Sequence, residues 1–290
     1  MLGALVVLAV AAGGVGYAYL ILSQTLGVHV PNSEERPSDR SLPYESVTFT
    51  ARDGTKLSAW YIVPPQPKAA AVIIPGFEET AGGKSEPFVL AVMEALYKNG
   101  FASLALDPRS YGESEGEKIT LGIKEWMDAE AGYDYLRARP ELAEKKIGFI
   151  GDSMGGTIAI AAAARSGKGD FVVASAPVEN YGVAFGKWVE ADGLPTIATY
   201  FVRAAALPFL GFDYWRYDSE DLIDRIHVPI LLIGPTHDEQ VGTDQVRLFA
   251  RANEPKLLVT PKGATHTLVD EMPELYHAEL IAFLHTVIGQ

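Results

Sequence analysis

Residues 146–156 constrain the fold of this chain more than any other stretch. A short apolar run, Ile147, Gly148, Phe149 and Ile150, leads into Gly151-Asp152-Ser153-Met154-Gly155-Gly156, and an alanine-rich, helix-compatible run over 157–164 follows. A strand that turns into a helix within a few residues leaves no room for side chains beside the turn, so glycine is required at the flanks of a G-x-S-x-G. Such a turn holds its serine at a helix N-terminus, where the dipole favours negative charge. Ser153 is therefore the candidate nucleophile. The bare pattern is weak in a chain with 28 glycines; the strand before it and the helix after it give it weight.

Around this turn the hydrophobic pattern alternates between periods. Apolar strands at 70–74, 102–106 and 147–150 are each followed by a helical pattern, at 88–98, 121–137 and 154–165. Alternation of this kind predicts a parallel sheet with helices on both faces. A hairpin over 47–50 and 57–63, turning at Asp53-Gly54, is expected to add an antiparallel edge. Strands at 171–175, 229–233 and 257–260 bring the total to eight, with helices at 244–252 and 274–287. Between 177 and 228 the alternation stops and Trp, Tyr, Phe and Leu accumulate, which reads as an inserted cap.

Residues 2–22 carry no charge. At about 1.5 Å per residue they would span roughly 30 Å, the thickness of a bilayer core, so residues 1–27 are expected to be an uncleaved, single-pass membrane anchor, placing the protein at the cell membrane. A cleaved signal peptide fits less well, because no basic residue precedes the run. Residues 28–43, rich in Asn, Ser, Glu, Arg, Asp and Pro, read as a polar tether, and 44–290 as the folded domain. The formal net charge of −13 argues against nucleic acid as a partner. The chain has no cysteine, which excludes disulfides, thiolate nucleophiles and Cys-ligated metals.

A serine hydroxyl needs a general base, which in turn needs a third group to orient it. Of the six histidines, His266, in Gly263-Ala264-Thr265-His266, follows the last strand at the edge where open α/β sheets bind ligands. His29, His227, His277 and His285 do not follow a strand in this way. For the acid, Asp238 lies in Gly234-Pro235-Thr236-His237-Asp238-Glu239-Gln240-Val241, after the strand at 229–233, with Glu239 as nearest competitor. Two backbone N–H groups are expected to face an oxyanion: that of Met154, after the serine, and that of Phe77, after Pro75-Gly76.

These residues together resemble the α/β-hydrolase superfamily over nearly all of 44–290. Asp107-Pro108-Arg109-Ser110-Tyr111-Gly112-Glu113-Ser114-Glu115-Gly116 is similar to the loop such enzymes carry after the fourth strand, with Ser110 in place of the usual glycine. Pro75 stands for the common histidine, and Pro235, Gly242 and Thr265 depart from the usual glycine, proline and glycine. Glu78 and Glu79, next to the oxyanion loop, are expected to point to solvent, since a carboxylate there would oppose catalysis. The resemblance implies an eight-stranded α/β-hydrolase fold and a serine hydrolase that cleaves carboxylic esters through an acyl-enzyme, with a Ser153, His266, Asp238 triad and no cofactor or metal. The apolar cap suits a lipophilic acyl group on a small-molecule or lipid ester. Peptidase, thioesterase, amidase and acyltransferase activities share this fold, as does a catalytically idle binding or scaffolding module.

Overall fold

The computed structural model describes every residue except Met1, Glu79, Asp218 and Gln290, with the side chains of residues 2–8 also left aside. One eight-stranded sheet runs in the order β1-β2-β4-β3-β5-β6-β7-β8. Its strands are β1 (Glu45–Thr50), β2 (Lys56–Ile62), β3 (Ala70–Ile74), β4 (Ala102–Asp107), β5 (Ile147–Asp152), β6 (Val172–Ser175), β7 (Ile230–Ile233) and β8 (Lys256–Val259). β1 pairs antiparallel with β2, and β2 antiparallel with β4. Every other pairing is parallel. The hairpin turns where Gly54 takes φ +92°, a conformation that residues with a Cβ rarely adopt. Strands β3 to β6 are buried along their whole length, as a sheet covered on both faces requires.

The helices are α1 (Leu2–Thr25), α2 (Pro87–Lys98), α3 (Trp126–Arg137), α4 (Met154–Ser166), α5 (Tyr181–Ala191), α6 (Ala198–Leu210), α7 (Glu220–Ile223), α8 (Gln245–Arg251), α9 (Leu268–Glu271) and α10 (Pro273–Ile288). Two cores result. α3, α4 and the helices between β6 and β7 bury one face of the sheet, and α2 and α10 bury the other. α3 starts later than the apolar pattern predicts. Leu121 and Gly122 take positive φ, and the buried Glu125 carboxylate accepts from the Thr120 and Gly122 N–H groups at 2.6 and 2.8 Å, so this stretch is a turn ahead of the helix. The insertion between β6 and β7 consists mainly of α5, α6 and α7, and its aromatics largely bury one another: Phe185 lies 4.4 Å from Tyr214 and 4.9 Å from Trp188, ring to ring.

The N-terminus departs from the expected anchor and tether. Among the described residues no helix is long and apolar enough to cross a membrane. Instead, α1 packs along α6: a Cβ on Gly14 would meet the Phe201 ring at 2.9 Å, and Tyr19 sits edge-on to Phe209 at 5.6 Å. Ala18 and Leu22 of α1, with Leu26 and Val30 beyond it, are buried in the first core. The physical reason is that one apolar face of α1 is covered by protein, although Val10, Tyr17, Leu20 and Ile21 stay exposed. Residues 28–43 do not form a free tether. The Val30 N–H donates to the Ser110 carbonyl and the Gly112 N–H to the Val30 carbonyl, each at 2.8 Å. Ile119 N–H reaches the Leu26 carbonyl, and Ser33 donates its N–H to Ser85 Oγ and its hydroxyl to the Ser85 carbonyl. Polar residues that look like linker in sequence serve here as a strap across the loop after β4.

Candidate active site

Ser153 sits between β5 and α4 with φ 50° and ψ −116°, a backbone conformation that a residue with a Cβ adopts only when its surroundings impose it. Those surroundings are tight. A Cβ at Gly151 would lie 2.2 Å from the Gly155 carbonyl, and one at Gly155 only 2.2 Å from the Ile74 carbonyl and 2.5 Å from that of Pro75. Both positions therefore require glycine. The Ser153 N–H donates to the Ser175 carbonyl at 2.9 Å, which ties the turn to β6.

Three loops at the carboxyl ends of β5, β7 and β8 bring Ser153, Asp238 and His266 together. Ser153 Oγ lies 2.9 Å from His266 Nε2, and His266 Nδ1 lies 2.7 Å from Asp238 Oδ2. Because a carboxylate only accepts, the proton sits on Nδ1, leaving Nε2 free to accept from the serine hydroxyl. Asp238 is buried, and its Oδ1 accepts from the N–H groups of Gln240 and Val241 at 3.0 and 3.3 Å, which fixes the carboxylate towards the ring. Glu239 and His237 are exposed, and neither is part of this chain of hydrogen bonds. The acid loop turns at Gly242 with φ +73°, a conformation closed to the proline that the resemblance would place there. Ser110, where glycine is usual, takes φ 66° and is fully buried.

The two expected oxyanion donors flank the serine. Met154 opens α4 directly after it, and Phe77 follows Gly76, where a Cβ would lie 3.8 Å from the Ser153 Cβ. Glu78 is exposed, as expected, whereas Glu79 lies outside the described residues. Two further buried acids border the site, Asp152 and Glu86, and sequence reasoning assigned no role to either. Asp152 is pushed up to about 7 by burial, against the hydrogen bond it accepts from Ser175 Oγ at 2.6 Å. Glu86 Oε2 accepts from the Gly76 N–H at 3.1 Å. The Glu86-Pro87 pair at a helix start is the only signal of it in the sequence, and that signal reads as a helix N-terminus.

Burial by itself would push the His266 imidazole down. The Asp238 hydrogen bond and the charges of Asp238 and Asp152 outweigh it, and the net shift is upward from 6.5. The sign follows: the stabilisation from protonated His266 is fully present below 6.5 and is lost as pH rises through the raised value. Any reaction that uses Nε2 as a base should therefore gain rate over the same interval. The acid limb of kcat/KM is expected to have its midpoint above 6.5. Asp238→Asn should move that midpoint downward; a wild-type midpoint below 6.5, or one indifferent to the substitution, would contradict this electrostatic account.

Residues 65–208 match the family described as serine aminopeptidase, S33. That stretch includes Ser153 and ends before Asp238 and His266. An uncharacterized protein of Mycobacterium tuberculosis is 27% identical over 263 residues, covering 90% of this chain and 86% of its own length. An alpha/beta hydrolase domain-containing protein of Arabidopsis thaliana is 28% identical over 255 residues, or 82% and 78% of the two chains. Among solved structures, an esterase of Pyrococcus furiosus superposes with a TM-score of 0.75 at 26% identity, over 89% of this chain and 97% of that one.

Proposed function

We propose that this chain, which belongs to the α/β-hydrolase superfamily, is a serine hydrolase acting on carboxylic esters. The observation that carries the reading is the continuous relay from Ser153 Oγ through His266 to Asp238, at 2.9 and 2.7 Å. His266 Nε2 takes the serine proton as Oγ attacks the acyl carbon, and Asp238 stabilises the imidazolium that results. The oxygen of the tetrahedral intermediate faces the N–H groups of Phe77 and Met154 at the start of α4. His266 then delivers its proton to the departing alkoxide, and water attacks the acyl-enzyme by the same route in reverse.

The likeness to a Pyrococcus furiosus esterase favours an oxygen ester. The match to a serine aminopeptidase family supports a second reading, amide cleavage at a peptide N-terminus. An apolar acyl group is favoured by α5: a Cβ on Gly242, in the Asp238 loop, would meet Val183 Cγ1 at 2.5 Å, so the apolar side of the cap borders the acid loop. The deciding experiment treats the folded protein with a fluorophosphonate probe and maps the modified peptide. Stoichiometric labelling at Ser153, with turnover of p-nitrophenyl esters, is expected. A folded protein that takes no label would sink the hydrolase reading, and faster turnover of aminoacyl anilides than of esters would favour the peptidase.

A further inference from the structure

Glu86 stands beside the nucleophile without a part in the relay. It is 9% exposed, and its Oε2 accepts from the Gly76 N–H at 3.1 Å. A Cβ on Gly76 would lie 3.6 Å from Glu86 Oε1 and 3.8 Å from the Ser153 Cβ, so Gly76 is held between the two side chains. The turn that delivers Glu86 is rigid. Lys84, fully buried, pairs with Asp107 at 2.8 Å and donates its own N–H to the same carboxylate at 2.8 Å. Ser85 Oγ accepts from the Ser33 N–H at 2.6 Å, which adds the N-terminal strap to the clamp.

We propose that Glu86 is a positioning residue for the oxyanion site: its carboxyl group grips the Gly76 N–H and so fixes the orientation of the next N–H, that of Phe77, beside Ser153. The inference rests on the esterase reading above and gives the loop at 75–77 its missing support. That loop lacks the histidine common before Gly76 in the superfamily. A helix cap alone would not explain the contact, because the carboxyl group reaches back ten positions rather than onto the first turn of α2. The charge state fits the role. Burial first, and then the charges of Asp152, Glu78 and Asp270, push Glu86 well above the usual carboxylate range, with only the Gly76 hydrogen bond opposing. Burial and these neighbouring charges favour the protonated form of the gripping group, which lessens the negative charge set against the developing oxyanion.

Glu86→Gln keeps a neutral acceptor of the same length, while Glu86→Met keeps the shape and loses it. Displacing one oxyanion donor should cost less than the roughly 10²- to 10³-fold lost when a donor is removed. Glu86→Met is thus expected to lower kcat on a p-nitrophenyl ester by about 10- to 100-fold with KM within about threefold, and Glu86→Gln to stay within about threefold of wild type in kcat. Thermal unfolding of each variant accompanies the kinetics. Wild-type kcat in a folded Met variant, or a fall shared equally by Gln and Met, would overturn the assignment. Should Met fail to fold, Glu86→Asp, which withdraws the acceptor by one methylene, decides in its place: a fall in kcat of about fivefold or more supports the role, and wild-type kcat overturns it. Ser153→Ala separates the two levels. If it retains turnover the esterase reading fails, and if it is inactive while the Glu86 variants are normal, only this inference fails.

Discussion

Ser153→Ala is expected to lower ester turnover by roughly 10⁴-fold or more, because the hydroxyl that forms the acyl-enzyme is gone while the fold is untouched. The structure explains why the fold should survive. Ser153 contributes its backbone to the turn through the N–H bond to Ser175, and among the described residues its side chain bonds only to His266. His266→Ala and Asp238→Asn should each be severely impaired as well. Combining them should cost far less than the product of the single losses, since an imidazole deprived of its orienting carboxylate has little left to lose. The measurement is kcat for the two single variants and the double variant on one soluble ester. Strictly multiplicative losses would mean that the two side chains act separately.

Deletion of residues 1–30 should have the largest effect on stability. Leu22, Leu26 and Val30 are each no more than 5% exposed, and truncating a single buried leucine to alanine costs about 2–5 kcal/mol. Removing all three, with the acceptors for the Ile119 and Gly112 N–H groups, approaches the 5–15 kcal/mol that holds a typical domain together. The truncated chain is expected to unfold at a much lower temperature than the full chain or to be recovered aggregated. Thermal denaturation of both forms, with Leu26→Ala as a milder probe, measures this. A truncation that melts within about 5 °C of the full chain would show that the strap contributes almost nothing.

The elbow, the alternation of strands and helices and the three relay residues could be approached from sequence because each rests on a local rule with few alternatives. Gly151 and Gly155 are dictated by backbone contacts that no other residue permits, and Asp238 and His266 follow strands at the edge where α/β sheets bind. The N-terminus was misread for a physical reason. Hydropathy and length measure how much apolar surface a helix must hide, but they do not say whether lipid or a second helix hides it. α6, which covers α1, begins more than 170 positions later in the chain. The polar strap was misread in the same way, since Asn32 and Ser33 find partners in Asp107 and Ser85 that no local pattern announces. Glu86 was illegible because its meaning depends on a loop that folds back over it.

The α1 to α6 contact also bears on how the chain is made. Tyr19 meets Phe209 across 190 positions, and Leu26 meets Ile119 across 93. At a synthesis rate of about 5–20 residues per second, an uncharged helix leaves the ribosome roughly 10–40 seconds before its covering helix exists. Through that interval α1 has no folded partner, and its solubility depends on whatever nascent-chain binder reaches it first. The length of that interval is set by the distance in sequence between α1 and the cap that receives it.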